Sequence, residues 1–186
     1  MRIVGGTARG RTLKTPKGSD TTRPTADRVR ETIFNVLGQT CEGLRVLDLF
    51  AGTGALGLEA VSRGATLAVL VDSGREAVGL CRENAKALGF EAQVEILSQP
   101  AVKALAALAA RGARFELVFS DPPYVARAGL EVLAALEALV EEGGVAVIEH
   151  EAAEVLGEHV GRWRREDQRT FGATQVSIFR LTDPAA

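Results

Sequence analysis

Val46-Leu47-Asp48-Leu49-Phe50-Ala51-Gly52-Thr53-Gly54-Ala55-Leu56-Gly57 decides the fold. An apolar run ends in an acid, passes through glycines and opens into a helical pattern from Ala55 to Ser62. Gly52, Gly54 and Gly57 satisfy G-x-G-x-x-G, where glycine permits a tight turn, close approach of a ligand and close helix packing. Such a strand–loop–helix unit belongs to a doubly wound parallel sheet, whose ligands bind outside the carboxyl ends of the strands. The loop by itself fits a nicotinamide or flavin dinucleotide equally well. A second apolar run, Leu67 to Val71, ends in Asp72-Ser73, where a carboxylate can take two ribose hydroxyls of either kind of cofactor.

The stretch Asp121-Pro122-Pro123-Tyr124 separates the cofactors. It follows Phe115-Glu116-Leu117-Val118-Phe119, which reads as a buried parallel strand. Consecutive prolines stiffen the backbone and leave carbonyls free as acceptors. Asp121 adds a carboxylate acceptor and Tyr124 a flat ring. The four suit a planar group bearing an NH2, whose hydrogens are accepted while its ring is stacked. An amine held in this way has a lone pair that can be aimed at an electrophile. Asp48 in turn suits a cationic amino-acid moiety and would repel a pyrophosphate. S-adenosylmethionine is therefore favoured over a dinucleotide.

Around these motifs, strands are expected near 44–49, 67–72, 93–97, 115–120 and 144–149, with helices near 55–63, 74–88, 100–111 and 127–141. A helix over Thr25–Leu37 precedes them, with Thr25 as its cap after Pro24. Past Glu151 a short helix is expected, then strands near 162–170 and 174–181 joined as a hairpin by Gly172-Ala173-Thr174. Residues 1–22 read as a basic arm with a small hairpin, and 23–186 as one α/β domain.

Asp48-Leu-Phe-Ala-Gly-Thr-Gly-Ala-Leu-Gly-Leu-Glu-Ala60 with Asp121-Pro-Pro-Tyr124 resembles the class I amino-methyltransferases. Arg23-Pro24-Thr25-Ala26-Asp27-Arg28-Val29-Arg30-Glu31-Thr32 narrows this, together with Arg2-Ile3-Val4-Gly5-Gly6, Arg9-Gly10-Arg11 and Phe171-Gly172-Ala173-Thr174. The combination is similar to the RsmD family of bacterial 16S rRNA guanine-N2 methyltransferases, over nearly the whole chain. The resemblance implies a mostly parallel seven-stranded sheet with an antiparallel seventh strand beside the fifth. It also implies methyl transfer from S-adenosylmethionine to the exocyclic amine of a guanine in 16S rRNA, naked or in the small-subunit particle. The candidate cofactor residues are Asp48, Phe50, Ala51, Gly52, Thr53 and Gly54, with Asp72 and Ser73 at the ribose and Gln99 at adenine. Many methyltransferases carry an acid where this chain has Gln99. Asp121, Pro122, Pro123 and Tyr124 are the catalytic candidates.

The formal charge of −2 conceals an asymmetry. In the first thirty residues Arg2, Arg9, Arg11, Lys14, Lys17, Arg23, Arg28 and Arg30 face only Asp20 and Asp27. A basic segment on an acidic chain reads as a nucleic-acid contact, because Lys and Arg displace counterions from phosphates. Arg2, Arg9, Arg11, Arg23, Thr25 and Arg28 are the RNA candidates, with an Arg28–Glu31 ion pair as the structural alternative. Deleting residues 1–17 is expected to spare cofactor binding, since the glycine loop lies downstream. Arg162, Arg164, Arg165 and Arg169 form a second basic cluster around Trp163, itself read as core. Cys41 and Cys81 lack C-x-x-C spacing, and His150 and His159 are too few for a metal cluster. No long apolar run or signal-peptide layout occurs. A metal-free, cytoplasmic monomer is the expectation.

Three rivals stay open. A DNA or protein-glutamine amino-methyltransferase keeps the tetrad, usually with Asn for Asp121. A dinucleotide oxidoreductase leaves the tetrad unexplained. A non-catalytic RNA-binding or ribosome-assembly factor leaves both cofactor acids unexplained.

Overall fold

The computed structural model describes residues 1–18, 24–122 and 128–183. It divides into two compact units, Met1–Ala101 and Val102–Ala186.

In the first unit, β1 (Arg45–Leu49), β2 (Leu67–Asp72) and β3 (Val94–Ser98) pair in parallel in the order β3-β2-β1. β1 and β2 are nearly continuous apolar runs because both faces are covered: Val46, Leu47, Leu49 and Ala68 to Val71 are buried. Between them lies α2 (Ala55–Ser62), apolar on almost every side and buried from Gly57 to Ser62. α3 (Arg75–Leu88) is amphipathic, burying Val78, Cys81, Asn84 and Ala85, and it ends on Gly89 in the left-handed conformation. α1 (Pro24–Val36) buries Ile33 and Phe34.

The N-terminal segment lies on this unit. It carries a single antiparallel bridge, Arg2 with Thr12, and closes with Ile3 N–H to the Arg11 carbonyl and Leu13 N–H to the Met1 carbonyl, at 2.9 and 3.0 Å. Ile3 and Leu13 are buried to 0 and 2 % exposure, so the small hairpin is a packed edge and not a tail.

In the second unit, β4 (Phe115–Ser120) pairs in parallel with β5 (Val140–Glu151). The remaining strands are antiparallel: β8 (Thr174–Leu181) beside β5, then β7 (Trp163–Phe171), then β6 (His159–Val160). α4 (Ala101–Ala110) and α5 (Ala128–Leu136) complete the elements. Trp163 is fully buried and its indole N–H donates to the Leu133 carbonyl at 2.8 Å, which makes it core as its sequence context implied.

Three expectations are corrected. Among the described residues there are eight strands, not seven, because His159–Val160 adds a two-residue edge to β7. That edge stands where a short helix was expected after Glu151; the segment turns instead, with Glu154 N–H on the Glu151 carbonyl and Ala152 N–H on Ala173. α5 stops at Leu136, five residues earlier than the apolar pattern indicated, because β5 begins at Val140 and pairs with Phe115 before its irregularity at Gly143-Gly144. No helix among the described residues is long and apolar enough to cross a membrane.

Candidate active site

The carboxyl ends of β1, β2 and β3 are aligned: Leu49 lies beside Val71 and Asp72 beside Ser98. Phe50 to Thr53, Asp72 to Gly74 and Ser98-Gln99 therefore emerge along one rim. Gln99 is tied to it by its N–H on the Asp72 carbonyl at 3.0 Å. Asp72 Oδ2 accepts the Gly52 N–H at 2.9 Å and Oδ1 accepts the Gly74 N–H at 2.8 Å. Each oxygen keeps a lone pair for a further donor, and the residue stays half-buried beside the exposed Ser73. The carboxylate is thus held in place by the backbone with acceptor capacity left over.

Asp48 has a different position. It is 2 % exposed and its Oδ2 accepts the Gly57 N–H at 2.9 Å. Its charge lies beneath the loop and braces the start of α2. At Gly57 a Cβ would come within 2.2 Å of Leu70 Cδ2, so the third glycine is needed for close packing. Gly52 and Gly54 take φ of 56° and 77°. Phe50 also has a positive φ, 61°, which is unusual for a residue with a Cβ and marks the loop as a strained site.

The loop presents a donor. Cys81 Sγ lies 3.3 Å from the Gly52 carbonyl, and a trans peptide points its N–H opposite to its C=O. The Thr53 N–H is consequently turned away from α3, and it has no acceptor among the described residues. An unpaired loop amide at the start of a helix suits a carboxylate. Burial, with the Asp48 and Asp72 carboxylates, pushes the Cys81 thiol up to about 12, so it remains an S–H donor.

In the second unit, β4 delivers Asp121 at its carboxyl end. Asp121 presents surface to solvent, yet enough protein surrounds its carboxyl for desolvation to raise its pKa. Pro122 is buried behind it. Ser120, 2 % exposed, has a hydroxyl without a hydrogen-bond partner among the described residues. Glu149 occupies the neighbouring end of β5, one position past the Ser120–Ile148 pairing. Pro123, Tyr124 and Arg23 lie outside the described residues, as does the side chain of Thr25.

The basic segment divides into free and engaged cations. Arg9 is exposed, and Arg2, Ile3, Val4, Arg9, Gly10 and Glu31 line a groove of about 190 Å³, where the exposed Arg2 also pairs with Asp27 at 3.9 Å. Arg28 is exposed and forms no ion pair with Glu31 among the described residues. Arg11 Nη2 donates to the Ala87 carbonyl at 2.5 Å and Lys14 Nζ pairs with Glu83 at 2.8 Å. Arg30 is buried: it meets Glu59 at 3.3 Å and Asp27 at 2.8 Å, and its Nη2 donates to the Arg2 carbonyl. The second basic cluster is also engaged, through Arg164–Glu166 and Arg169–Asp167 pairs, Arg162 on the Thr182 carbonyl and Arg165 on the Leu156 carbonyl.

Sequence reasoning missed Glu59, Cys81, Asn84 and Glu149. Glu59 carried a signal, as a lone acid inside the apolar run Leu58-Glu59-Ala60-Val61. The fully buried carboxylate accepts the Val4 and Gly5 N–H groups at 2.8 and 2.7 Å and pairs with both Arg30 and Arg63. The expected independence of segment and loop is corrected too. Thr53 Oγ1 donates to Met1 Sδ at 3.4 Å, and Asn84 bonds both Lys14 and Thr53.

The glycine loop, the acid ending β2 and the β5-β8-β7 antiparallel finish are those of a class I methyltransferase. An Escherichia coli protein described as a candidate methyltransferase, yhhF, superposes with a TM-score of 0.84 at 32% identity, covering 98% of both chains. An RNA methyltransferase of Salinibacter ruber, complexed with S-adenosyl-L-homocysteine, shares the fold at a TM-score of 0.65, with 16% identity over 92% of this chain and 95% of that one. The family described as Conserved hypothetical protein 95 matches residues 1–180, and the chain belongs to it, the RsmD family. The candidate rRNA methyltransferase YlbH of Bacillus subtilis is 38% identical over 97% of this chain and 98% of its own length. Ribosomal RNA small subunit methyltransferase D of Escherichia coli is 42% identical over 67% of this chain and 60% of its own length.

Proposed function

We propose that this protein transfers the methyl group of S-adenosylmethionine to the exocyclic N2 amine of a guanine in 16S rRNA, acting as a cytoplasmic monomer on the RNA or the small-subunit particle. The observation that carries the reading is the rim of the first unit, where the Asp72 carboxylate and the free Thr53 N–H stand at the ends of β1 and β2. Membership of a family whose relatives include an rRNA methyltransferase supplies the substrate class.

S-adenosylmethionine supplies an electrophilic methyl on a sulfonium. The chain's own work is positioning. Asp72 would accept the ribose hydroxyls, Thr53 N–H would donate to the methionine carboxylate, and Gln99 would meet the adenine amine. Asp121 would accept a hydrogen of the guanine N2, with the Pro122 carbonyl as second acceptor and Tyr124 stacked on the base. A base paired in a helix has to be extruded to present this amine, so an unpaired or flipped guanine is the expected target. The exposed Arg2, Arg9 and Arg28 would contact phosphates, with Arg23 and Thr25 nearer the base.

The test is incubation of the protein with methyl-labelled S-adenosylmethionine and, separately, naked 16S rRNA and undermethylated small subunits, followed by mass mapping of the product. N2-methylguanine at one position is expected. Label on adenine, on protein or nowhere, with cofactor bound, would overturn the assignment.

A further inference from the structure

Asn84 is 1 % exposed on the inner face of α3, and the hydrogen bonds of its side chain go to backbone outside that helix. Its Nδ2 donates to the Thr53 carbonyl at 2.9 Å and to the Lys14 carbonyl at 3.1 Å; its Oδ1 accepts the Lys14 N–H at 2.7 Å. Both amide hydrogens and one acceptor site are therefore used. One buried side chain fixes the main chain of the basic segment and the main chain of the glycine loop together.

The loop has few restraints of its own. Thr53 sits between two glycines of positive φ, whose backbone freedom is the largest of any residue. Cys81, three residues before Asn84 and on the same side of α3, holds the preceding carbonyl, that of Gly52. Asn84 is the stronger of the two donors. Without it the part-buried Thr53 carbonyl would lose its partner, a loss that the loop would relieve by turning. Turning that peptide re-aims the neighbouring Thr53 N–H, the donor available to a ligand carboxylate. On the other side, Lys14 is followed by the exposed Lys17 and preceded by Arg9 and Arg11. A polyanion drawing on those cations pulls on the strand that Asn84 grips.

We propose that Asn84 is a positioning residue for methyl-donor binding and couples it to RNA binding, the basic segment forming one wall of the cofactor loop. This rests on the reading of the loop as the S-adenosylmethionine site and of the segment as an RNA contact. By linkage, RNA on the segment and cofactor on the loop change each other's affinity by the same factor, and couplings of this type run from about 5-fold to about 150-fold.

The test is calorimetric titration of S-adenosylmethionine into the full chain, with and without saturating 16S rRNA, for the wild type, Asn84→Ala, Asn84→Asp and Glu83→Gln. Asn84→Asp keeps the acceptor for Lys14 but loses both donated bonds. Glu83→Gln breaks only the exposed Lys14 ion pair. Both Asn84 variants are expected to bind the cofactor about 10-fold more weakly, the equivalent of one lost buried hydrogen bond, and the RNA-dependent factor is expected to fall to one. Glu83→Gln should retain the wild-type factor. Equal affinities and equal factors in the wild type and both Asn84 variants would overturn the proposal while leaving the enzyme reading intact. A wild type that binds no S-adenosylmethionine would instead overturn that reading and this one with it. Should both Asn84 variants unfold, hydrogen exchange on the wild type decides: RNA alone should alter protection at residues 52–54, and unchanged exchange there overturns the coupling.

Discussion

Glu149 lies next to Asp121 at the carboxyl ends of two paired parallel strands, and its pKa is raised to about 7 by burial first and by the Asp121 carboxylate second. Neither burial nor a like charge favours ionisation. Because the native state holds this proton more tightly than the unfolded chain, stability falls as pH rises from the ordinary glutamate value of 4.5 towards 7. Glu149→Gln removes the effect. Denaturant unfolding should show the wild type losing about 1–3 kcal/mol more than the variant between pH 5 and pH 8. The two should converge near pH 4. Parallel stability curves across that range would show that Glu149 carries no raised pKa.

Asp121 is exposed where Glu149 is not, which suits an acceptor that a substrate must reach. Asp121→Ala is expected to leave cofactor affinity near wild type while methyl transfer falls by roughly two to four orders of magnitude, the range for losing a group that orients the reacting atom. Single-turnover rates on the mapped substrate measure this. Near-normal turnover would remove Asp121 from the mechanism.

Asp72 combines two duties, since it anchors Gly52 and Gly74 and offers its remaining lone pairs to a ribose. Asp72→Ala should weaken S-adenosylmethionine by about 1.5–3 kcal/mol or more, the range for hydrogen bonds to a charged group. Asp72→Asn keeps one acceptor oxygen, so it should fall between the variant and the wild type. Calorimetry that ranked the two variants equally would place the ribose elsewhere, Glu76 in the first turn of α3 being the nearest acid along the chain.

The elements that sequence made legible are those in which local pattern and tertiary context agree. β1, β2 and β4 are largely apolar runs with an acid within a residue of the carboxyl end, at Asp48, Asp72 and Asp121, and their bounds match the expectation to within a residue. Where pairing overrides local preference the reading failed: the helical pattern expected over 127–141 takes in Val140, but Val140 finds a strand partner in Phe115. The site divided in the same way. Asp72 and the glycines are signalled by type and spacing. Asn84 is not, because its partners Lys14 and Thr53 lie 70 and 31 residues away and are backbone groups, which carry no sequence signal. Glu149 was hidden for a related reason, as its environment is set by a strand that sequence alone does not place beside it.

Glu59 has its carboxylate fully buried against Arg30 and Arg63, with the N–H groups of Val4 and Gly5 on the same two oxygens. Removing one partner of such a cluster strands the others. Glu59→Ala is expected to destabilise the protein by about 3–5 kcal/mol. Glu59→Gln should be milder, because it retains one acceptor for the Val4–Gly5 turn. Urea titrations of the two variants check the order.

The same packing changes what to expect of the basic segment. Ile3 and Leu13 are buried in the first unit, so deleting residues 1–17 should lower both stability and cofactor affinity. Such a deletion cannot isolate a role in RNA binding. Arg11 is a poor probe as well, since its guanidinium is committed to Ala87. Arg9 is the cleaner one: it is exposed, lines the groove beside Arg2, and enters only a backbone hydrogen bond, its N–H on the Gly6 carbonyl. Arg9→Glu should leave the melting temperature and S-adenosylmethionine affinity unchanged while weakening 16S rRNA binding. If Arg9 neutralises a phosphate, the slope of log K against log salt should flatten by roughly 0.7–0.9. An unaltered slope with unaltered affinity would take Arg9 out of the interface and leave Arg2 and Arg28 as the exposed cations to test.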